Sequence, residues 1–505
     1  MKKVFPHLKP IVPSKLFFQL LFILLITTCP FDISGAQDLI QAPAAIHISS
    51  VVSDSKYSIA EIVRIAKENK IKIVIVTDRD LMRWEYGLWP LRNIIKKTVE
   101  ANSIFKYGIG RYLKDIENIQ KANQDILLIA GLESAPFYYW QGSAFDNSLK
   151  MYNWHKHILA IGLDAAVDYK NLPSIGNPRA LRTKFQLYKL WPIIFLLAGF
   201  FCFKKRKYNY RDLQGKPLGP FDRRFRVCGL SLVVIGILFF INNWPFYGVK
   251  YDQYHGDLRI MPYQNFIDYI NRHGGLTFWA HPEAEYIQNI EGIKIETREH
   301  TSDLIQTDNY TGFAIFYEGY NKVGLPSGLW DAVLKQYCAG KRKAPIWAIG
   351  GLSFESAGDL SGYMNNLRTI FLVPKLNKQE VLKALRQGRM YVVRGKDASQ
   401  FALDKFIITD TVTNNGVTIG EKIFLSDKPK IEIGGHFLNG QRQAFKIKLI
   451  RNGSVIKTFE VTSPFEITYQ DEYNAKDNGS YYRVEMRSEV ILLITNPIFC
   501  IYKTK

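Results

Sequence analysis

The stretch that most constrains this chain runs from Ala45 to Asp80 and reads AIHISSVVSDSKYSIAEIVRIAKENKIKIVIVTDRD. Ala44–Ile48 is a short apolar run interrupted by His47, and Ile71–Val76 is a second run rich in β-branched residues. Between them Ser58 and Glu61 stand at capping-box spacing, with Ile59, Ile62, Val63 and Ala66 at helical period behind them. Strand, helix and strand so close together predict a right-handed βαβ unit on a buried parallel sheet. His47 then falls at the carboxyl end of the first strand, and Asp78 just past the end of the second. Parallel α/β sheets and barrels bind ligands at those ends.

Further strands bring more reactive side chains. Asp125–Ile129 leads into Gly131-Leu132-Glu133, and His157–Gly162 is an apolar run with His at its start, His155 lying two residues earlier. Gly274–Pro282 reads GGLTFWAHP and ends on His281. Phe313–Asn321 and Pro345–Gly351 read as the next two strands, and Lys378–Tyr391 as a helix and exit. Met82–Asn123 reads as an aromatic, mostly helical connection without a motif. From about Phe401 the texture turns to short alternating strands. Ala444–Ile450 and Val455–Val461 flank an Asn452-Gly453 turn, a strong hairpin signal, and a small antiparallel sandwich is expected with no constellation of its own.

These motifs resemble the PHP (polymerase and histidinol phosphatase) superfamily of metal-dependent phosphoesterases, and within it the CehA/McbA-like members. In that family the first strand ends His-x-His, an acidic residue or His follows in the next loop, and the second strand ends Thr-Asp-His. The matching positions here are His47, Ser49, Asp54 and Arg79. The family carries a bridging carboxylate where Glu133 stands and metal-binding imidazoles where His157 and His281 stand. Its Gly-Ser-Asp-Ala-His reads Gly351-Leu352-Ser353-Phe354-Glu355 here.

The resemblance covers about residues 44–395 and sorts the candidate ligands. It implies one complete metal position, Glu133 with His157 and His281. A second keeps His47 and Glu133, and a third shows Asp54, Arg79 and Glu355. Two imidazoles and a carboxylate with open positions suit a metal-activated water, with Zn, Mn or Fe as the divalent transition metal. Arg79 puts a guanidinium where the family has a ligand. It either holds a phosphate or carboxylate oxygen of the substrate or pairs with Asp54 or Glu355. Glu133 and Arg79 are thus the catalytic candidates, acting on a small anionic ester, a phosphoester first. The alternative is a catalytically inactive PHP-like pseudoenzyme that binds a ligand or an envelope partner.

The net charge of +20 invites a nucleic-acid reading until it is located. Residues 1–15 contribute +4, and residues 204–226 hold nine Lys/Arg against Asp212 and Asp222. Both clusters flank apolar segments, so the charge pattern indicates a membrane partner, not a nucleic acid. Leu16–Thr28 behind its basic start, followed by Ser34-Gly35-Ala36, reads as a signal peptide or N-terminal anchor. Leu190–Phe203 and Val227–Ile241 flank the basic loop and predict a transmembrane hairpin, with the main domain extracytoplasmic. Among the five cysteines no disulfide framework or zinc pattern stands out.

The expected architecture is α/β. It comprises a PHP-type distorted (β/α)7 barrel interrupted by a two-helix transmembrane insertion, plus a C-terminal antiparallel β-sandwich. The expected divisions are 1–36 for the signal or anchor, 37–184 and 248–398 for the barrel, 185–247 for the hairpin and 399–505 for the sandwich.

Overall fold

The two leading apolar runs become β1 (Ile40–Ile48) and β2 (Ile73–Val76), joined by helix α1 (Ile59–Glu68) and paired in parallel with Ile46 beside Ile75. Ser58 caps α1 through both halves of the capping box. Its Oγ accepts from Glu61 N–H at 3.2 Å, and Glu61 Oε2 accepts from Ser58 N–H at 2.8 Å. The computed structural model describes residues 39–505 except 178, 180–184, 206–209, 213, 216, 219–221, 246–249, 291, 355–357, 473–478 and 503–505. The expected signal or anchor at 1–36, and Glu355 among the candidate ligands, lie outside the described residues.

Five more strands complete a ring: β3 (Leu127–Ser134), β4 (Ile158–Ile161), β5 (Leu276–Trp279), β6 (Gly312–Phe316) and β7 (Trp347–Phe354). Neighbours pair in the order β7-β6-β5-β4-β3-β2-β1, and β1 pairs with β7 to close a seven-stranded barrel. All pairings are parallel except those of β4, which runs antiparallel to β3 and to β5. The chain is therefore mixed α/β, with one strand of its barrel reversed.

The connection after β2 differs from the expected helical reading. It opens with an antiparallel hairpin, Arg83–Gly87 against Lys96–Glu100, and only then turns helical at Ile104–Tyr107 and Ile109–Ala122. The hairpin strands RWEYG and KKTVE carry a single alternating apolar pair, Trp84 and Tyr86, which pack half-buried against Trp140 and the core, while KKTVE is largely exposed, so periodicity had little to register.

Beyond the barrel, β8 (Leu367–Val373) pairs antiparallel with the first half of β1 and with β9 (Met390–Gly395). From β9 the sheet continues through Ile491–Thr495, Ser480–Arg487, Ala444–Arg451 and Ser454–Thr462. A second, four-stranded sheet contains Phe401–Asp410, Pro429–Phe437 and Phe465–Gln470. Phe401 and Phe406 from this sheet share a buried core with Phe445, Ile447 and Leu493 from the other. The antiparallel C-terminal region is thus a continuation of the barrel wall on one of its two sheets.

A buried ion pair fastens barrel to C-terminal sheet. Asp331, on the helix Leu329–Cys338, accepts from Arg483 Nε at 2.9 Å and Nη2 at 2.7 Å, and from the Tyr481 hydroxyl at 2.8 Å. Both charged side chains are fully buried. Asp331→Ala strands a guanidinium without counter-charge and should cost about 3–5 kcal/mol in urea unfolding. A loss below about 1 kcal/mol, the worth of an exposed pair, would show that Asp331 and Arg483 do not join these parts.

Two helices among the described residues are long and apolar enough to cross a membrane: Leu187–Lys204, containing α2 (Ile193–Lys204), and α3 (Arg223–Asn242), with mean hydropathies of 1.5 and 2.2. A Cβ on Gly199 would come within 2.7 Å of Val233 Cγ2, and one on Gly236 within 2.7 Å of Leu196 Cδ2, so glycines set this close approach. Leu197, Phe200, Phe201, Leu230 and Ile237 turn outward, exposed.

Candidate metal centre

Strand direction determines which side chains meet on the barrel rim. His47 stands at a register shift in β1, between Ile46 and Ile48, and takes the left-handed conformation with φ +67°. A non-glycine residue pays strain there, and such strain clusters at functional sites. The turn aims the imidazole inward, against Gly351, where a Cβ would approach His47 Nδ1 to 3.2 Å.

Past β2, Glu133 N–H donates to Asp78 O at 3.0 Å and Asp80 N–H donates to Glu133 O at 2.9 Å, bracketing Arg79 beside Glu133. Because β4 is reversed, His157, immediately before it, lies at the same end of the barrel as the carboxyl ends of the others. His281 follows β5 by two residues, and Ala280 N–H donates to His157 O at 3.2 Å.

The side chains converge on Glu133 Oε1. His157 Nδ1 is 2.8 Å from it, His47 Nε2 3.3 Å and His281 Nε2 3.7 Å. The ligand atoms of Glu133, His157 and His281 all lie within 4.8 Å of one another, and all three residues are buried. His157 Nε2 lies 3.1 Å from Trp154 O and Nδ1 lies 3.1 Å from His281 Nε2, so the imidazole bridges the backbone and the cluster.

The donor set fits a divalent transition metal. Glu133 Oε2 and His47 Nδ1 are buried with no hydrogen-bond partner. Each such polar atom costs about 1–3 kcal/mol when unsatisfied, which coordination to a cation would relieve.

Arg79 and Asp54 form a separate pair. Arg79 Nε donates to Asp54 Oδ2 at 2.5 Å, while Nη1 lies 2.8 Å from His157 Nε2 and 3.3 Å from Nδ1. Asp54 is thus engaged by the guanidinium and stands apart from the three converging donors. Ser353, where the family has its Asp, sits in the left-handed region at φ +48° near the end of β7.

Two carboxylates that the motif reading left without a role position this machinery. Asp78 accepts from Ser50 N–H at 2.7 Å, Ser50 Oγ at 2.8 Å and Ser53 Oγ at 2.7 Å, fixing the loop that carries Asp54. Asp80 accepts from Ser134 Oγ at 2.7 Å, Ser174 Oγ at 2.5 Å and Leu81 N–H at 2.6 Å. The available signal was the run Asp78-Arg79-Asp80 directly after a buried strand. Burial lifts Asp80 to about 6 against these hydrogen bonds.

The electrostatics prepare the donors. Burial pushes the Glu133 carboxyl up, but Arg79, then His157 and His47, together outweigh it and hold the group well below the usual carboxylate range. Burial, reinforced by Arg79, brings His157 down to about 3, so its imidazole is neutral at physiological pH. His155 and His300 are also lowered, each by burial first, then His155 by His157 and His300 by Lys156.

These shifts predict acid sensitivity. Above pH 6.5 the histidines are neutral in both states; below it the unfolded chain takes up protons that the fold refuses. Stability of the metal-free protein should fall as pH drops from about 6.5 toward 3, by about 1.4 kcal/mol per pH unit for each such group, offset below about pH 6 by Asp80, whose raised carboxyl takes up a proton that the unfolded chain does not. Urea midpoints at pH 7, 6 and 5 check this. An unchanged midpoint in Asp80→Asn, which removes the opposing carboxyl, would mean that these imidazoles protonate in place.

Fold and site together define a class: an α/β barrel with a buried carboxylate–imidazole centre on its rim. No protein-family model matches the chain, and no curated protein matches it either. Solved structures similar to it include a two-domain Bacteroides vulgatus protein described as containing a PHP-like metal-dependent phosphoesterase, at 11% identity and TM-score 0.34 over 89% of this chain and 91% of that one. A Bifidobacterium adolescentis protein described as a metal-dependent phosphoesterase is 13% identical, TM-score 0.27, over 63% of this chain and 88% of that one. An amidohydrolase from Chromobacterium violaceum, solved with sulfate and without metal, is 12% identical, TM-score 0.27, over 63% of this chain and 89% of that one.

Proposed function

We propose that this chain is a membrane-anchored, extracytoplasmic, PHP-like hydrolase that cleaves a small anionic ester, a phosphoester first, with one divalent transition metal. The observation that carries the reading is the buried convergence of Glu133, His157 and His281. These three would hold the metal, with His47 beside them as a further donor to Glu133's side of the site. Once bound, such an ion supplies Lewis acidity and an activated water at neutral pH.

The chain's own residues do the rest. Glu133 keeps its negative charge because Arg79 and the imidazoles face it. Asp54 anchors Arg79 through Nε, so the Nη edge of the guanidinium is directed at the cluster. That edge would fix an anionic oxygen of the substrate, as planar guanidinium groups do for phosphate. Of the remaining candidate ligands, Asp54 would serve through Arg79, and Glu355 keeps only the role its motif position implies.

Metal analysis of the purified full chain, followed by a generic phosphoester assay, tests the reading. One equivalent of Zn, Mn or Fe with hydrolysis is expected. The 2.8 Å contact of Arg79 with His157 favours a second reading, a barrel that binds an anionic ligand without turnover. Absence of both metal and hydrolysis would leave that one standing.

Anchoring rests on the two apolar helices and the basic loop 204–226 between them. Reporter fusions at Leu213 and Asn414 should report opposite compartments, cytoplasmic and extracytoplasmic respectively. The same compartment for both would reject the hairpin.

A further inference from the structure

We infer that the Arg83–Glu100 hairpin is a foot set in the headgroup layer of the bilayer, so that the ester cleaved at the barrel mouth is carried by a membrane lipid. This rests on the membrane-anchored hydrolase reading above and adds the source of its substrate.

The hairpin rises directly from the reactive rim. Its first strand begins four residues after Arg79, and Ala101 N–H closes its base on Met82 O at 2.8 Å. It is held against the loops around the mouth. Glu85 N–H donates to the Tyr138 hydroxyl at 2.9 Å, Trp140 Nε1 donates to Glu85 O at 2.9 Å, and Gly87 N–H donates to the Tyr254 hydroxyl at 2.6 Å.

Its tip is fastened to the end of an apolar helix. Asn242, the last residue of α3, accepts from Asn93 N–H through Oδ1 at 2.9 Å, and its carbonyl accepts from Asn93 Nδ2 at 2.7 Å. Asn242 Nδ2 in turn donates to Pro90 O at 3.3 Å. These bonds set the tip level with the end of the span, which is where a bilayer has its interface.

The tip carries side chains suited to that layer. Trp89, next to Pro90, is 77% exposed, and Ile94 and Ile95 are exposed with it. Tyr188, Trp191 and Trp244 are likewise exposed at the adjoining ends of the two helices. Tryptophan and tyrosine gather at the membrane interface because their rings are apolar and their edges polar. In water a large exposed tryptophan beside two isoleucines has no such compensation. A mouth fixed by this foot meets esters displayed at the bilayer surface. Hydrolysis there breaks the bond between phosphorus and the lipid oxygen, forms a new one from phosphorus to the water oxygen, and leaves a proton on the departing lipid alcohol.

The test uses the full chain in phosphatidylcholine nanodiscs. Bromine on the upper acyl carbons should quench wild-type tryptophan emission more than that of Trp89→Phe. In the same nanodiscs, phosphatidate should be hydrolysed about tenfold or more faster than soluble glycerol phosphate, and Trp89→Ala should slow only the former. Equal quenching in wild type and Trp89→Phe overturns the foot whether or not the protein is a hydrolase. Quenching at Trp89 with turnover of the soluble ester alone overturns the lipid substrate and leaves the hydrolase reading intact. Failure to cleave either ester counts against the hydrolase reading, and the quenching comparison still decides the foot.

Discussion

Glu133→Ala should strip the transition metal from the protein and reduce hydrolysis by more than about 100-fold, beyond the 10–100-fold loss usual for a residue that only supports a ligand. The carboxylate stands between His157, His47 and His281, and its Oε1 is the one atom close to all three. Its charge also offsets Arg79 in a fully buried setting, so removal leaves a guanidinium facing imidazoles. Glu133→Gln separates the two effects, since it keeps the volume and loses the charge. Metal content and turnover should fall together in both variants, whereas a purely structural role would lower the unfolding midpoint and leave metal per folded molecule unchanged.

Arg79→His should act in the opposite direction on metal, raising its stoichiometry above that of the wild type. The guanidinium is the cation nearest the cluster and lies 2.8 Å from His157 Nε2. Exchange for imidazole removes that repulsion, adds a donor and releases Asp54 from its pair. The variant should also bind inorganic phosphate about 10–100-fold more weakly, the loss expected for a charge-assisted hydrogen bond of 1.5–3 kcal/mol. Arg79→Lys keeps the charge without the planar fork, and should weaken phosphate binding without gaining metal. Metal analysis and phosphate titration calorimetry of the three proteins decide it. If Arg79→His gains no metal, Arg79 does not stand where a ligand could.

The legible parts of this chain were those whose residues answer to local rules. The capping box at Ser58 and Glu61 and the runs on either side gave the first βαβ unit, because strand pairing there is parallel and the helix amphipathic. His47, Glu133, His157 and His281 stood out through the resemblance of their strand ends to the PHP motifs, and the structure brings the three imidazoles around Glu133 Oε1. The reversal of β4 was not legible, since a four-residue buried strand reads the same in either direction. Without that reversal His157 would sit at the far end of the barrel from His281. The Arg83–Glu100 hairpin escaped for a different reason: its alternation is limited to Trp84 and Tyr86, too short beside the exposed Lys96–Glu100 strand to mark a hairpin. The continuity of β1 with β8 depends on which half of a nine-residue strand pairs with which neighbour, a long-range choice that composition does not record.

The reversed strand also bears on how the protein could be simplified. Between β4 and β5 the chain leaves the barrel, runs out along the two apolar helices and returns, and the two sides of that excursion touch: Gln186 N–H donates to Pro245 O at 3.3 Å. Joining them directly would require almost no bridging chain, and closing so short a connection carries little entropic penalty. Deletion of Leu187–Trp244 with Gln186 spliced to Pro245 should therefore yield a water-soluble barrel with Glu133, His157 and His281 still in register.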